Sequence, residues 1–120
     1  MVAELASLVG GDDAWLSVPD VADVLGEELS RVRRLLDDRV LLGVRRGRPR
    51  VLSVPRVLVE PEPLVSLPGT VTVLADAGYT DAEALRWLFT PEPVLGSAPI
   101  EALRSRRIAP VRRQAQALLL

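Results

Sequence analysis

The stretch "LSRVRRLLDDRVLLGVRRGRPRVLSVPR", residues 29 to 56, holds nine of the fifteen basic residues of a 120-residue chain whose net charge is -1. Every basic residue of the chain is an arginine. Residues 1 to 30 carry seven acids and no base, and residues 57 to 101 carry seven acids and a single arginine. The overall charge therefore hides one strongly basic segment, and the fold of that segment decides what surface its arginines form.

The residues just before this segment predict a short helix. Ser17 is placed as its N-cap, with Asp20 three residues on as in a capping box, and Gly26 can end it in the left-handed conformation. A second helix is predicted from about Glu28. The first helix is expected to bury Val21, Ala22 and Leu25; the second is expected to bury Leu29, Val32 and Leu36, with Leu35 at the margin of that stripe.

The second helix has a polar face. At about 100° per residue, Ser30, Arg31 and Arg34 point away from the apolar stripe, and Arg33 lies nearer the boundary. The runs "LLGVRR" and "RVLSV" then read as two strands joined by a turn at "GRP". We expect the arms and tip of this hairpin to carry four more arginines on the same side as the helical ones: Arg45, Arg46, Arg48 and Arg50.

Two short helices joined by a glycine-containing turn and followed by a hairpin form the winged helix-turn-helix pattern. Residues 15 to 56 resemble the MerR/excisionase-like version of that fold. The whole chain, including "SLPGTVTVLADAGYTDAEALRWLFTPEPVL" at residues 66 to 95, resembles an actinobacterial DNA-binding family first described in mycobacteria as a winged-helix substrate of a Ser/Thr kinase. The resemblance implies weakly specific or sequence-independent DNA binding through the recognition helix and wing.

The expected partner is double-stranded DNA, bound by a transcriptional regulator or a nucleoid-type protein. Two simpler interpretations stay open. The arginines of the second helix could form surface ion pairs at i,i+4, Arg33 with Asp37 and Arg34 with Asp38. The arginines of the hairpin could serve to prevent it from pairing with the edge of another sheet. The chain also departs from the usual pattern. Glu27 and Glu28 lie near the face that would meet phosphates, and Arg39 stands where a glycine often follows the recognition helix. The candidate DNA-binding residues are Ser30, Arg31, Arg33, Arg34, Arg45, Arg46, Arg48 and Arg50.

The second half of the chain predicts a helical subdomain. "TVTVLADAG" has helical spacing and ends at Gly78, and Thr80 with Glu83 forms a capping box that opens "DAEALRWLF". Two further helices follow, in "SAPIEALRS" and "PVRRQAQALLL". Residues 88 to 105 also resemble, weakly, the toxin-binding region of Xre-type antitoxins. An alternative function is therefore a protein interaction module, or a homodimer, that uses the C-terminal helices.

Composition excludes several function classes. The chain has no cysteine and no histidine, which removes thiolate zinc sites, cysteine nucleophiles and imidazole acid-base chemistry. We predict no enzyme activity, cofactor, metal or small-molecule ligand. No apolar run is long enough to span a membrane, so a cytoplasmic protein is expected. The predicted fold is mainly α with a small β-hairpin wing: an N-terminal lead-in at 1–14, a winged helix-turn-helix at 15–60 and a C-terminal helical subdomain at 61–120. The lead-in is either disordered or a short helix at 3–9.

Overall fold

The computed structural model describes residues 2 to 120, with side chains from Glu4 onward, so Met1 of the predicted lead-in lies outside the described residues. The predicted fold class, a mainly helical chain with a small sheet, is confirmed. The helices are α1 (Val2–Val9), α2 (Val18–Leu25), α3 (Leu29–Asp37), α4 (Leu67–Asp76), α5 (Asp81–Phe89), α6 (Pro99–Arg104) and α7 (Ile108–Ala117). The strands are β1 (Trp15–Ser17), β2 (Val44–Arg46) and β3 (Val51–Pro55).

The helix-turn-helix is built from local end signals. The Ser17 side chain accepts a hydrogen bond from the Asp20 backbone N–H at 3.3 Å, and Gly26 ends α2 with φ 66°. The predicted return bond from the Asp20 carboxylate is not formed within the described chain. A capping box normally uses the longer side chain of Glu or Gln to reach back, and Asp is one methylene shorter. The turn itself is therefore fixed by Ser17 and Gly26.

Helix α3 buries less apolar surface than its sequence predicts. Val32 is fully buried, but Leu29 is 44% exposed and Leu35 and Leu36 are half-buried. Leu25 of α2 is also half-buried rather than buried. The reason is that α3 packs mainly against α2, so only the residue directly over that contact is enclosed. The rest of α3 remains open to solvent.

The wing is a three-stranded antiparallel sheet in the order β1-β3-β2. The predicted hairpin of β2 and β3 is present, with Gly47 at φ 86° in its turn. Strand β1 was not predicted, because three residues directly before a helix cap are too short to show an alternating pattern. It pairs with the other side of β3, Leu16 opposite Val54, and so joins the start of the helix-turn-helix to the wing.

The N-terminal segment forms a helix, the second of the two alternatives that the sequence leaves open. Leu5 of α1 is fully buried, and α1 packs against both α5 and β2. Glu4 pairs with Arg86 of α5 at 2.7 Å. Helix α1 therefore connects the winged unit to the C-terminal helices, and one continuous core runs through both halves of the chain.

The C-terminal helices begin and end close to their predicted positions. Helix α4 starts three residues before "TVTVLADAG", and Gly78 follows it with φ 89°. The capping box at α5 is complete: the Glu83 carboxylate accepts from the Thr80 N–H at 2.9 Å, and Thr80 Oγ1 accepts from the Glu83 N–H at 3.2 Å. Trp87 and Phe89 are half-buried and pack against the core.

The capping box generates a stability prediction. Hydrogen bonds from the Thr80 backbone and then its side chain hold the pKa of Glu83 below its ordinary value of 4.5. Thr80→Ala should lower the free energy of unfolding by about 1 kcal/mol at neutral pH. The Thr80 backbone N–H, the larger cause of the lowered pKa, remains in this variant. Only the part of the loss that comes from the side-chain hydrogen bond to the ionised Glu83 should therefore shrink as the pH falls through the folded pKa.

Urea denaturation at neutral pH and at about pH 3 measures both effects. Thr72→Ala is the matched control, since Thr72 is exposed on α4 and its hydroxyl donates only to the Pro68 carbonyl of its own helix. Equal loss in the two variants would contradict the assignment of the cap.

Candidate nucleic-acid interface

Helix α3 presents its polar residues to solvent. Ser30, Arg31, Arg33 and Arg34 are all exposed, while Val32 between them anchors the helix in the core. The i,i+4 ion pairs that the sequence allows, to Asp37 and Asp38, are not formed within residues 2 to 120. The three arginines of this face, Arg31, Arg33 and Arg34, are therefore free to meet an external anion.

Three of the four predicted wing arginines are likewise exposed and unpaired. Arg45 lies on β2, opposite Leu52 of β3, and Arg48 and Arg50 lie in the turn at the tip. All three are exposed, and in the part of the chain that the structure describes none has an ion pair or a hydrogen-bonded partner. Exposed side chains on an edge strand and its turn can reach a neighbouring phosphate backbone with little rearrangement. The wing thus supplies three free cations.

Arg46 differs from the other wing arginines, and the expectation that all four lie on one side is wrong for this residue. Its guanidinium lies over the Trp15 ring, 5.1 Å from the centroid, and Nη2 pairs with Asp12 at 2.7 Å. Successive residues of a strand face opposite ways, so Arg46 shares the inward side of β2 with buried Val44. Only 19% of its side chain is exposed. Arg46 braces the sheet instead of extending from it.

Other arginines hold the two halves of the chain together. Arg39 after α3 pairs with Asp81 of α5 at 3.1 Å, Arg86 of α5 pairs with Glu4 of α1, and Nε of Arg104 donates to the Val57 carbonyl at 2.8 Å. Arg56, in contrast, acts within the first half of the chain, where it donates to the Asp13 carbonyl at 2.8 Å and to Glu60. The sequence does not indicate these bridges, because most of their partners lie far apart along the chain.

The conformation of Arg39 explains one departure from the usual pattern. Its φ is 57°, the left-handed region, which is why a glycine is common at this position. A non-glycine residue there costs about 1 to 2 kcal/mol. The pair with Asp81 offsets part of that cost and uses the same residue to connect α3 with the C-terminal half.

Glu27 and Glu28 lie beside the free arginines of α3. Together with Ser30, Arg31 and Arg34 they line one shallow depression of about 350 Å³. The two carboxylates reduce the positive potential at this end of the recognition helix and would repel a phosphate placed there. The acidic departure noted in the sequence therefore falls within the candidate interface itself.

Neither a metal site nor a membrane-spanning helix occurs among the described residues. Within residues 2 to 120 no three acidic, histidine or cysteine side chains come together as a metal site would require. In the same part of the chain no helix has the length and apolar character needed to cross a bilayer.

Two helices joined at a tight glycine turn and followed by a three-stranded wing define a winged helix-turn-helix protein. The free arginines lie on the second helix, α3, and on the wing. The family description "DNA-binding protein Rv2175c, wHTH domain" matches residues 6–59, and "Rv2175c C-terminal domain of unknown function" matches residues 64–119. The chain belongs to the Rv2175c family.

Individual relatives agree with this assignment. The chain is 33% identical over 135 residues to DNA-binding protein Rv2175c of Mycobacterium tuberculosis (strain ATCC 25618 / H37Rv), an alignment that covers 98% of this chain and 92% of the relative. The NMR structure of Rv2175c superposes with a TM-score of 0.81 at 34% identity, over 91% of this chain and 83% of that one. The fold and the arrangement of its two halves are therefore shared with a solved structure.

The position of Arg46 generates a prediction that separates it from its neighbour on β2. Arg46→Ala should lower the melting temperature, because it removes a stacking contact worth about 0.5 to 2 kcal/mol and exposes Trp15. Arg45→Ala is the matched control, since Arg45 is exposed and without a partner in the described chain, and its melting temperature should be unchanged. Thermal unfolding followed by circular dichroism measures both variants. Equal melting temperatures for the two would show that the contact with Trp15 does not stabilise the fold.

Proposed function

We infer that this protein binds double-stranded DNA through α3 and the wing. The observation that carries the inference is the separation of the nine arginines of residues 29 to 56 into two groups. Those of α3 and the wing tip are exposed and unpaired within the described residues, whereas those that brace the fold are paired. The proposed contact set is Ser30, Arg31, Arg33, Arg34, Arg45, Arg48 and Arg50; Arg46, which the sequence placed in this set, is left in its bracing role.

Winged helix-turn-helix geometry assigns different tasks to the members of this set. A recognition helix enters the major groove, where an arginine can donate two hydrogen bonds to O6 and N7 of guanine. Arg31 and Arg34, one turn apart on the outward side of α3, are the residues proposed for this contact. Arg33 on the flank and the wing arginines would meet phosphates, which position the protein without reading sequence. Affinity would then be mainly electrostatic.

The finer class is a weakly specific regulator of transcription or a nucleoid-type binder. Helix α3 has nine residues, and its first turn lies beside Glu27 and Glu28, so few side chains can reach base edges. Discrimination between sequences would rest on Arg31, Arg34 and Ser30 unless a second copy or DNA shape adds to it. A regulator of transcription and a nucleoid-type binder would use the same surface. Either would be located in the cytoplasm, where bacterial DNA lies.

A protein partner bound by the C-terminal helices is the alternative. Its structural support is the exposed apolar end of the chain after α7, where Leu119 is 49% exposed and Leu118 is 37% exposed. This alternative makes the α3 and wing arginines incidental. Substitutions there would then leave the protein's binding properties unchanged.

Single substitutions test the proposed interface. Arg34→Ala should weaken binding to a short duplex by about 1 to 3 kcal/mol, because it removes a proposed contact to a guanine base. The fold should be unaffected, since Arg34 pairs with no other side chain in the described chain. Glu28→Gln should strengthen binding, since it removes a like charge from the path of the phosphates. Fluorescence anisotropy of a labelled duplex measures each dissociation constant.

The matched control is Arg113→Ala on α7, an exposed arginine that likewise lacks a partner in the described chain. It changes the net charge by the same amount outside the proposed surface. If Arg34→Ala and Arg113→Ala weakened DNA binding equally, net charge rather than the α3 face would govern affinity, and the proposed docking would be wrong.

A further inference from the structure

A second group of arginines surrounds a cavity in the C-terminal half. The cavity has a volume of about 430 Å³ and lies between residues 62 to 66, which lead into α4, and the corner where α6 turns into α7. Arg104, Arg106 and Arg112 line it, with Glu62 as the single acid. Three guanidinium groups against one carboxylate leave the cavity with a net positive charge.

Arg112 lies partly inside the protein. It is half-buried, its Nε is enclosed without a hydrogen-bond partner, and no acidic side chain pairs with it in the described chain. The guanidinium lies against the backbone of α4 at Gly69, where an added Cβ would overlap Nη2 and Cζ. A partly buried charge without a partner is unfavourable unless another group compensates it. An anion in the cavity would supply that compensation.

Arg106 and Arg104 complete the rim from the α6–α7 corner. Arg106 adopts φ 64°, a conformation that favours glycine, and it is exposed with no acidic partner among the described residues. Arg104 is held in place by the Val57 carbonyl and lies 3.6 Å from Glu62. Burial lowers the pKa of Arg104, and Glu62 acts in the opposite direction. Arginine nevertheless keeps its proton in proteins, so all three side chains are cations.

The walls between the arginines are apolar. Leu64 and Leu103 lie on opposite sides of the cavity, and the exposed side chains of Val65 and Ile108 lie at its edge. A volume of 430 Å³ lies within the range of small-molecule sites, about 300 to 1,000 Å³, and exceeds what a bare phosphate fills. Charge at the rim and apolar side walls together match a ligand with an anionic head and an apolar body.

We propose that this cavity binds a small amphipathic anion, a phosphate or carboxylate head joined to an apolar body. The head lies between Arg106 and Arg112, and the body packs against Leu64, Leu103 and Ile108. This site would give the C-terminal half a ligand-binding role of its own, separate from DNA binding by α3 and the wing. The proposal does not depend on the DNA interface.

Titration with hexyl phosphate, followed by ¹H–¹⁵N NMR of the full chain, tests the proposal. We expect saturable shifts at residues 62 to 66 and at Arg106 and Arg112, and weaker binding of hexanol and of inorganic phosphate, which each lack one half of the recognised chemistry. Arg106→Gln should weaken hexyl phosphate binding roughly tenfold, as expected for the loss of one charge-assisted hydrogen bond. Arg113→Gln, the same change seven residues on, should leave it unaltered.

Several outcomes would overturn the proposal. These are no saturable shift at the cavity, equal weakening by Arg106→Gln and Arg113→Gln, or binding of inorganic phosphate as tight as that of hexyl phosphate. The cavity could instead receive a phosphate of the DNA backbone. In that case Arg106→Gln would weaken duplex binding as strongly as Arg34→Ala, and hexyl phosphate would cause no shifts. Gly69→Ala is a second test, because the added methyl group displaces the Arg112 guanidinium without changing the charge. It should weaken hexyl phosphate binding in a variant whose NMR spectrum shows the native fold.

Discussion

Leu5 of α1 is fully buried where α1 meets α5 and the wing, and the rest of the structure depends on this shared packing. Helices of six to ten residues, such as those of this chain, are marginal in water on their own. Their stability must come from the apolar faces that they bury together. Because one core runs from α1 to α7, the recognition helix and the C-terminal helices hold a fixed relation to each other.

That fixed frame determines which arginines are available to a partner. Arg39, Arg86 and Arg104 reach acceptors across the boundary between the two halves, and Arg46 is held between Trp15 and Asp12. The exposed pairs of Arg39 and Arg86 contribute at most about 1 kcal/mol each, so their effect is to orient elements rather than to stabilise the fold strongly. The arginines of α3 and of the wing tip lack such acceptors, and this contrast is the basis of the proposed DNA surface.

Local signals in the sequence were sufficient for most of the fold. Ser17, Gly26, Thr80 and Gly78 mark helix ends through side-chain and backbone chemistry that acts within a few residues, and the helices begin and end there or close by. The features that sequence reasoning missed depend on distant partners. Strand β1 exists because β3 offers it a free edge, and the role of Arg46 depends on Asp12, which lies 34 residues away.

The same distinction applies to the candidate sites. The outward face of α3 follows from helical periodicity, so its four polar residues could be placed from the sequence. The cavity lined by Arg104, Arg106 and Arg112 could not, because it requires the segment before α4 to lie against the α6–α7 corner. Membership in the Rv2175c family covers both halves of the chain, and the second half carries the description "of unknown function", which the proposed anion site addresses.

The central claim is that the unpaired arginines of α3 and the wing form a phosphate-binding surface, and its most direct test is the salt dependence of DNA binding. Fluorescence anisotropy of a random-sequence duplex, measured from about 50 to 200 mM salt, gives the slope of log K against log salt concentration. With four to six of the free arginines on phosphates, at about -0.9 per contact, we predict a slope of about -4 to -5. A slope near zero, or no binding at the lowest salt concentration, would contradict the account.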